Sequence, residues 1–191
     1  MHAGTPWRPT SSQFAIDRPR ERHRLPHIGL HRHTEGRQTL VIRPPTIEEL
    51  PALGELCMRS KAVWGYDSDF MQACRDELSF DPPELQVTRI AVAEEGGDLI
   101  GVAQVKVVGT QADLLKLFVE PGRLHGGIGR VLLSWAVGVA RDMGATRLSI
   151  EADPGAAPFY RGMGAVDVGV AASGSIPGRM LPKLAIDLRN A

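Results

Sequence analysis

The sequence predicts an α/β (α+β) fold, in which a mixed, mostly antiparallel sheet carries helices on both faces. Apolar runs separated by Gly and Pro clusters give the element order β-α-α-β-β-β-α-β-α-β-β. The stretch from Leu114 to Gly164 reads as strand, glycine-rich loop, amphipathic helix, strand and short helix, so it predicts two parallel strands with a crevice between them. With 191 residues and 43% hydrophobic content, the chain can bury one ordinary core.

The composition excludes several classes of protein. No apolar run approaches membrane-spanning length, and no signal segment opens the chain. Cys57 and Cys74 show neither a metal-ligand spacing nor a disulfide framework. We therefore expect a cytoplasmic protein that has no metal site.

The first 40 residues differ from the rest of the chain. They hold seven arginines, no lysine, three acidic residues and five of the six histidines, whereas residues 41–191 hold 15 basic and 19 acidic residues. Because they show almost no periodic apolar pattern, we predict that residues 1–39 are a disordered Arg/His-rich extension before a folded domain at 40–191. A metal or nucleic-acid role is less favoured, since ligand spacing and interleaved aromatics are missing.

The first half of the domain begins with a strand and two helices. A short strand, 39–43, is stopped by two prolines, and Thr46 with Glu49 forms a capping box for the first helix. That helix carries one apolar face, 50–57. Residues 61–67 separate it from a second helix, which we predict from Ser68 to about Leu78.

Strands follow the two helices. We predict a strand from Val87 to Glu94, a hairpin turn at 95–98, a strand from Leu99 to Val108, and a third strand ending at Val119. Two more strands, 165–170 and 183–188, close the domain. A helix opened by Asp153-Pro154 precedes them.

The glycine-rich loop predicts an anion site. Gly127 and Gly129 stand where an amphipathic helix begins, and the first amides of a helix have no partner within the helix. These amides also carry the positive end of the helix dipole. Arg123 and Arg130 flank the loop, so a phosphate ligand is favoured.

Spacing separates the possible phosphate sites. A P-loop needs Lys and then Ser or Thr after its last glycine, but Arg130 and Val131 stand there. The dinucleotide fingerprint would need a glycine at Leu132, although Glu151 mimics its acidic ribose ligand. A nucleotide-binding domain that prefers NAD therefore stays an alternative.

Three segments, FVEP, LHGGIGRVLL and ADPGAAPFYRGMGA, together resemble the GNAT superfamily of acetyl-CoA-dependent N-acetyltransferases. The family signature is Q/R-x-x-G-x-G/A, followed by a strand and a helix that often ends in A-x-x-F-Y-x-x-x-G-F. Leu124 stands at the Q/R position, and Ala165 replaces the last aromatic. The resemblance spans roughly residues 40 to 189.

The resemblance implies an acetyl-CoA site at the point where the parallel strands splay apart. There, main-chain groups hold the diphosphate, the pantetheine arm and the acetyl carbonyl. Asp153 matches a position near which the family places a cofactor-contacting Asn or Asp, although a helix cap is its competing role. The implied cofactor-binding residues are Leu117, Phe118, Val119, Arg123, Leu124, His125, Gly126, Gly127, Ile128, Gly129, Arg130 and Asp153.

Two residues are candidates for catalysis. Tyr160 matches the family's tyrosine, which is placed to protonate the leaving sulfur; the alternative is that it packs beside Phe159 with its hydroxyl on a carbonyl. Acetylation of an alkyl amine also needs a base, because the amine is protonated at neutral pH. Glu151 is the first candidate, and Glu120 and Asp67 are alternates.

The acceptor side is expected at the junction of the first two helices. Lys61, Trp64 and Tyr66 are the candidates, although the aromatics could instead pin a helix corner. Arg179, in a loop expected to overhang the pocket, would with Lys61 suit an acidic acceptor.

We expect a small-molecule or peptide amine acceptor and no nucleic-acid or membrane partner, and we leave a homodimer open. A non-catalytic acyl-CoA-binding regulatory module on the same fold is the alternative function.

Overall fold

The structure, a computed structural model, describes residues 39–189. The predicted disordered extension therefore lies outside the described residues, apart from Thr39. The strands in the described part are β1 Leu40–Arg43, β2 Arg89–Glu95, β3 Asp98–Val108, β4 Gln111–Val119, β5 Arg147–Glu151, β6 Val166–Ala172 and β7 Met180–Asp187. The helices there are α1 Leu50–Ala62, α2 Ser68–Ala73, α3 Arg75–Leu78, α4 Glu84–Val87, α5 Ile128–Asp142 and α6 Ala157–Gly162.

The strands form one mixed sheet in the order β1-β2-β3-β4-β5-β7-β6. Neighbours are antiparallel except β4 and β5, which run parallel. The predicted fold class is confirmed. Among these described elements, no helix is long and apolar enough to pass through a bilayer.

The entry to α1 follows the predicted capping pattern. The Glu49 carboxylate accepts a hydrogen bond from the Thr46 amide at 2.8 Å, and one 3-10 turn, 47–49, leads into the helix. Pro51 lies in the first turn, where a missing amide costs least. The apolar face is buried, and its members Leu50, Leu53 and Leu56 are at most 2% exposed.

β7 begins three residues before the predicted Lys183, and three helix boundaries also differ from the prediction. The second helix is broken at Cys74 into α2 and α3, and Val87 ends the short helix α4 instead of opening a strand. The helix expected at Asp153 begins at Ala157. Each of these helix ends involves a short segment with few apolar residues, so the apolar periodicity of the sequence says little about where the helix begins or ends.

The two faces of the sheet bury different helices. On one face α5 and α6 pack over β3, β4, β5 and β7, with Leu133, Ile150 and Leu184 almost fully buried. On the other face α1 and α3 cover β2 and β3. Along β4 the side chains alternate, so Leu117 packs on the α5 side and Phe118 on the α1 side.

The parallel pair separates halfway along β4. The register joins Gln111–Leu114 of β4 to Arg147–Ile150 of β5, and beyond Leu114 β4 is paired with β3 alone. The separation begins at a β-bulge, where the β3–β4 register shifts between Gln104 and Val105 and Leu115 has no partner. A bulge bends its strand, so this one turns the end of β4 away from β5.

Candidate active site

A cleft of about 660 Å³ occupies the gap between β4 and β5. Residues 114–119 of β4 and residues 150–153, at the end of β5 and just beyond it, form its walls. It reaches the glycine-rich loop at the start of α5, and it also reaches the ends of α1 and α3 on the opposite face of the sheet. The cleft therefore passes through the sheet, as the resemblance implied, and side chains do not plug the gap.

The loop before α5 presents free amides. The amides of His125 and of residues 127–130 have no hydrogen-bond partner among the described residues, whereas the Gly126 amide bonds to the Arg123 carbonyl at 3.3 Å. Gly127 has a φ of +86°, in the left-handed region that glycine tolerates best. A backbone turned this way, with amides unpaired at a helix start, is a site for an anion.

The two predicted loop cations differ in their surroundings. Arg123 bonds to the Glu95 carboxylate at 2.7 Å, so its charge is already balanced. Arg130, in the first turn of α5, has no carboxylate partner in the described chain and lines the cleft. Arg130 is therefore the cation available to a bound anion.

Most of the predicted site residues border the cleft. They are Lys61, Trp64, Leu117, Phe118, Val119, Arg123, Leu124, His125, Gly127, Gly129, Arg130, Glu151, Asp153 and Tyr160. Four predicted residues do not border it. Gly126 uses its amide within the loop, Ile128 packs into the core, and Tyr66 and Arg179 lie behind Asp153.

Tyr160 lies in α6 against the core, with its ring along the cleft. The residue is 6% exposed, and its hydroxyl makes no hydrogen bond to any described residue. The alternative in which that hydroxyl binds a backbone carbonyl is therefore wrong. Burial raises the pKa of Tyr160 well above its usual value, so the hydroxyl stays protonated at neutral pH.

The three candidate bases all have partners. Glu151 Oε1 lies 3.2 Å from the ammonium of Lys183 on the neighbouring strand β7, and Glu120 is held by Arg59 at 2.8 Å. The Asp67 carboxylate accepts the Phe70 amide at 2.8 Å and so caps α2. Of the three, Glu151 borders the cleft.

The predicted acceptor-side residues converge on Asp153. The Tyr66 hydroxyl donates to Asp153 Oδ2 at 2.8 Å, and Arg179 donates to the same oxygen at 3.1 Å. Lys61 Nζ lies 3.7 Å from it, and Asp153 Oδ1 accepts the Gly155 amide at 3.2 Å. Both cations thus face a carboxylate of the protein. Asp153 is not the N-cap of α6, which is Ala156.

Trp64 closes this side of the cleft by packing on a glycine. A Cβ atom at Gly155 would lie 2.5 Å from the indole Cζ3, a distance that real side chains do not reach. Only glycine therefore lets the ring lie flat on the turn after β5. Trp64 itself is 45% exposed and lines the cleft, so it both pins the corner and offers a surface to a ligand.

The contacts of Asp153 lead us to expect that the stability of the folded protein depends on pH. Burial alone raises the pKa of its carboxyl, but the hydrogen bonds from Tyr66 and Arg179 outweigh burial and lower it. A carboxyl whose pKa is lower in the folded state stabilises the fold above its unfolded pKa of about 4, and this contribution disappears as pH falls through the folded value. We therefore expect Asp153→Asn to reduce the free energy of unfolding at pH 7 by about 1–2 kcal/mol, allowing for partial exposure.

Urea denaturation at pH 7 and at pH 3 measures this effect. The difference between wild type and Asp153→Asn should shrink at pH 3, whereas Asp113→Asn, on the exposed side of β4, should change little at either pH. A difference that is equally large at pH 3 would contradict an ionised Asp153 as its source.

Comparison with known protein families gives a match over the part of the chain that forms this cleft. The model described as the acetyltransferase (GNAT) family matches residues 53–165, which include most of α1, the splayed strands and the glycine-rich loop. The chain belongs to the GNAT acetyltransferase family. It is thus an enzyme of the N-acetyltransferase class. A comparison with functionally curated proteins gave no match.

Solved GNAT structures share the fold at low identity. The paia N-acetyltransferase of Thermoplasma acidophilum, in complex with coenzyme A, has a TM-score of 0.64 at 20% identity, covering 78% of this chain and 99% of its own. A GCN5-related N-acetyltransferase of Rhodopseudomonas palustris has a TM-score of 0.67 at 21% identity, covering 79% and 97%. The protein yncA of Salmonella typhimurium, solved with acetyl-CoA, has a TM-score of 0.58 at 19% identity, covering 80% and 96%.

The sequence patterns did not mark two charged side chains that line the cleft. Glu77 projects from α3, and Lys116 of β4 is 8% exposed and donates to Gln104 Oε1 at 2.9 Å. Lys116 falls inside an apolar strand where the bulge changes which face each residue meets. Glu77 lies in a one-turn helix whose position depends on contacts distant in sequence. No local signal marks either residue.

Proposed function

We propose that this enzyme transfers an acetyl group from acetyl-CoA to a primary amine by direct attack in a ternary complex. The observation that carries the proposal is the run of unpaired amides, 127–130, at one end of a cleft that continues between the splayed strands. If the anionic end of an extended ligand binds these amides, the rest of the ligand can follow the cleft through the sheet toward α1 and α3.

The residues of the cleft suit acetyl-CoA. The free amides at the start of α5 and the Arg130 guanidinium offer donors to a diphosphate. The end of β4, paired on one side only, offers main-chain groups to the amides of a pantetheine arm. The volume of about 660 Å³ lies in the ordinary range for small-molecule sites.

Acetyl-CoA supplies an acyl group activated as a thioester. Main-chain N–H groups at the end of β4 are the donors that would stabilise negative charge developing on the acetyl oxygen. Tyr160, protonated and without a hydrogen-bond partner in the described chain, is the proposed donor to the departing sulfur. Its proton balances the charge left when the carbon–sulfur bond breaks.

The acceptor nitrogen loses two protons in all. One leaves the ammonium before the carbon–nitrogen bond forms, and Glu151 is the proposed carrier of that proton to solvent, since it lies at the end of β5 beside the cleft. The second leaves the nitrogen after the bond forms and restores Tyr160. The net products are an amide, a free thiol and one proton.

Two measurements test the proposal in sequence. Isothermal titration with acetyl-CoA should show binding, and no binding at millimolar acetyl-CoA would remove the proposal. Thiol release on a panel of amines then separates the enzyme from a regulatory module that only binds acyl-CoA, for which no amine would release thiol. A thermal shift that favours NAD over CoA would instead support the nucleotide-binding alternative.

A further inference from the structure

Three carboxylates line the cleft among the described residues, and they differ in what they contact. Asp153 is held by Tyr66 and Arg179, and Glu151 faces Lys183. The third, Glu77, has neither a salt bridge nor a side-chain hydrogen bond to any described residue. Of the three carboxylates it is the one without an ion pair to a described residue, and the buried Lys116 ammonium on Gln104 acts on it through its electric field alone.

Glu77 lies at the end of the cleft opposite the diphosphate loop. It belongs to α3, which packs with α1 on the face of the sheet away from α5. The cleft crosses the sheet through the gap between β4 and β5, so a ligand anchored at the start of α5 presents its far end on the α3 side. This is the side from which an acceptor must approach.

The loop between β6 and β7 bounds the space around Glu77. A Cβ atom at Gly174 would lie 4.0 Å from Glu77 Oε2, and Ser175 Oγ lies 3.4 Å from Cys74 Sγ on the preceding turn. The carboxylate thus lies between a loop and the cleft instead of projecting from an isolated surface turn. An acceptor that fills this space would displace water from it and strengthen any ionic contact.

The cationic side chains near Glu77 already contact other groups of the protein. Lys61 and Arg179 face Asp153, and Lys116 is buried with its ammonium on Gln104 and 4.4 Å from the Phe80 ring centroid. The acceptor end therefore offers a free carboxylate and no free surface cation in the described chain. This charge pattern favours a cationic ligand over the acidic acceptor expected from the sequence.

We propose that Glu77 binds the acceptor in its ammonium form and thereby selects alkyl amines that are charged at neutral pH. The inference rests on the proposed acetyl transfer and names the acceptor class for the same cleft. Glu77 is a specificity-determining residue in this role, and the proton that the ammonium must lose before attack leaves to solvent at the open mouth of the cleft.

The contact between Glu77 and the acceptor ammonium favours binding, but it opposes the loss of the proton that precedes attack. A carboxylate beside the ammonium strengthens acceptor binding, but it also favours the charged form and so raises the pKa of the bound amine. Removing the charge should raise the acceptor KM while it moves the acid limb of the kcat profile to lower pH. A purely structural role for Glu77 would not raise the acceptor KM and at the same time move the acid limb of the kcat profile to lower pH.

The experiment compares Glu77→Gln with Asp76→Asn, the neighbouring acidic residue of α3 that does not border the cleft. Thiol release is measured with phenethylamine, which is charged at neutral pH, and with aniline, which is not. For Glu77→Gln we expect the KM for phenethylamine to rise about tenfold, since a hydrogen bond to a charged group is worth about 1.5 kcal/mol or more. The KM for acetyl-CoA, the KM for aniline and all values for Asp76→Asn should stay near wild type.

Ionic strength gives a second readout. Added salt should raise the KM for phenethylamine in wild type and have little effect in Glu77→Gln, because salt screens the Glu77 carboxylate while it is exposed in the free enzyme. If Glu77→Gln behaves like Asp76→Asn with phenethylamine, the inference is overturned while acetyl transfer stands. If wild type releases no thiol with any amine, the proposed function itself fails and the inference fails with it.

Discussion

Gly127→Val is expected to weaken acetyl-CoA binding by at least about tenfold while leaving the protein folded. Gly127 has a φ of +86°, which costs a β-branched residue more than about 1–2 kcal/mol, so the chain should relax toward negative φ. That rotation turns the amides of residues 127–130 away from their common direction. Each lost bond from an amide to a phosphate is worth about 1.5–3 kcal/mol, so the loss of one suffices for the predicted change.

The control for this prediction lies in the same helix. Gly138→Val adds the same side chain at a position with ordinary helical geometry, where a new Cβ meets nothing within 4 Å. Calorimetric titration should give this variant a wild-type affinity for acetyl-CoA, and thermal melting should show that both variants are folded at the temperature of the titration. Wild-type affinity in Gly127→Val would show that the loop amides do not hold the diphosphate.

Tyr160→Phe is expected to lower kcat by about 100-fold or more, the usual range for loss of a positioned acid. The ring fills the core between α6 and the sheet, and phenylalanine keeps that packing. The hydroxyl makes no bond to a described residue, so its removal leaves no buried group unpaired. Affinity for acetyl-CoA and the melting temperature should therefore change little, and a wild-type kcat would exclude Tyr160 as the proton donor.

The raised pKa of Tyr160 adds a pH criterion. Burial favours the neutral hydroxyl, so the group stays protonated from neutral pH to beyond pH 10. The ratio of wild-type to Tyr160→Phe kcat should be constant between about pH 7 and pH 10, where an unperturbed tyrosine would begin to ionise. A ratio that falls toward pH 10 would show that the hydroxyl ionises in the active enzyme.

Several parts of the site followed from local sequence patterns. The pair of glycines at the start of an amphipathic run placed free amides near residue 127, because helix starts are set by neighbouring residues. The strand–helix–strand order of this stretch predicted that the two strands run parallel, which the register between Gln111 and Leu114 confirms. Thr46 and Glu49 likewise marked the entry to α1, three residues apart in sequence.

Other predictions could not succeed from local patterns. Asp153 looked like a helix cap, but its carboxylate contacts Tyr66 and Arg179, which lie 87 and 26 residues away in sequence. The bulge at Leu115 arises from pairing with β3, since no residue type in an apolar strand encodes it. The break at Cys74 likewise left no signal in the periodicity.

By itself the sequence determined the order of the strands and of the longer helices, the family resemblance and the position of the glycine-rich loop, since each depends on residues within about one turn or strand of one another. The tertiary structure alone decided which charges remain free. It balanced Lys61 and Arg179 against Asp153, paired Glu151 with Lys183, and left Glu77 facing the cleft. Ionic contacts depend on side chains that meet only after the sheet has formed, so the partner of a charge cannot be read from its neighbours in sequence.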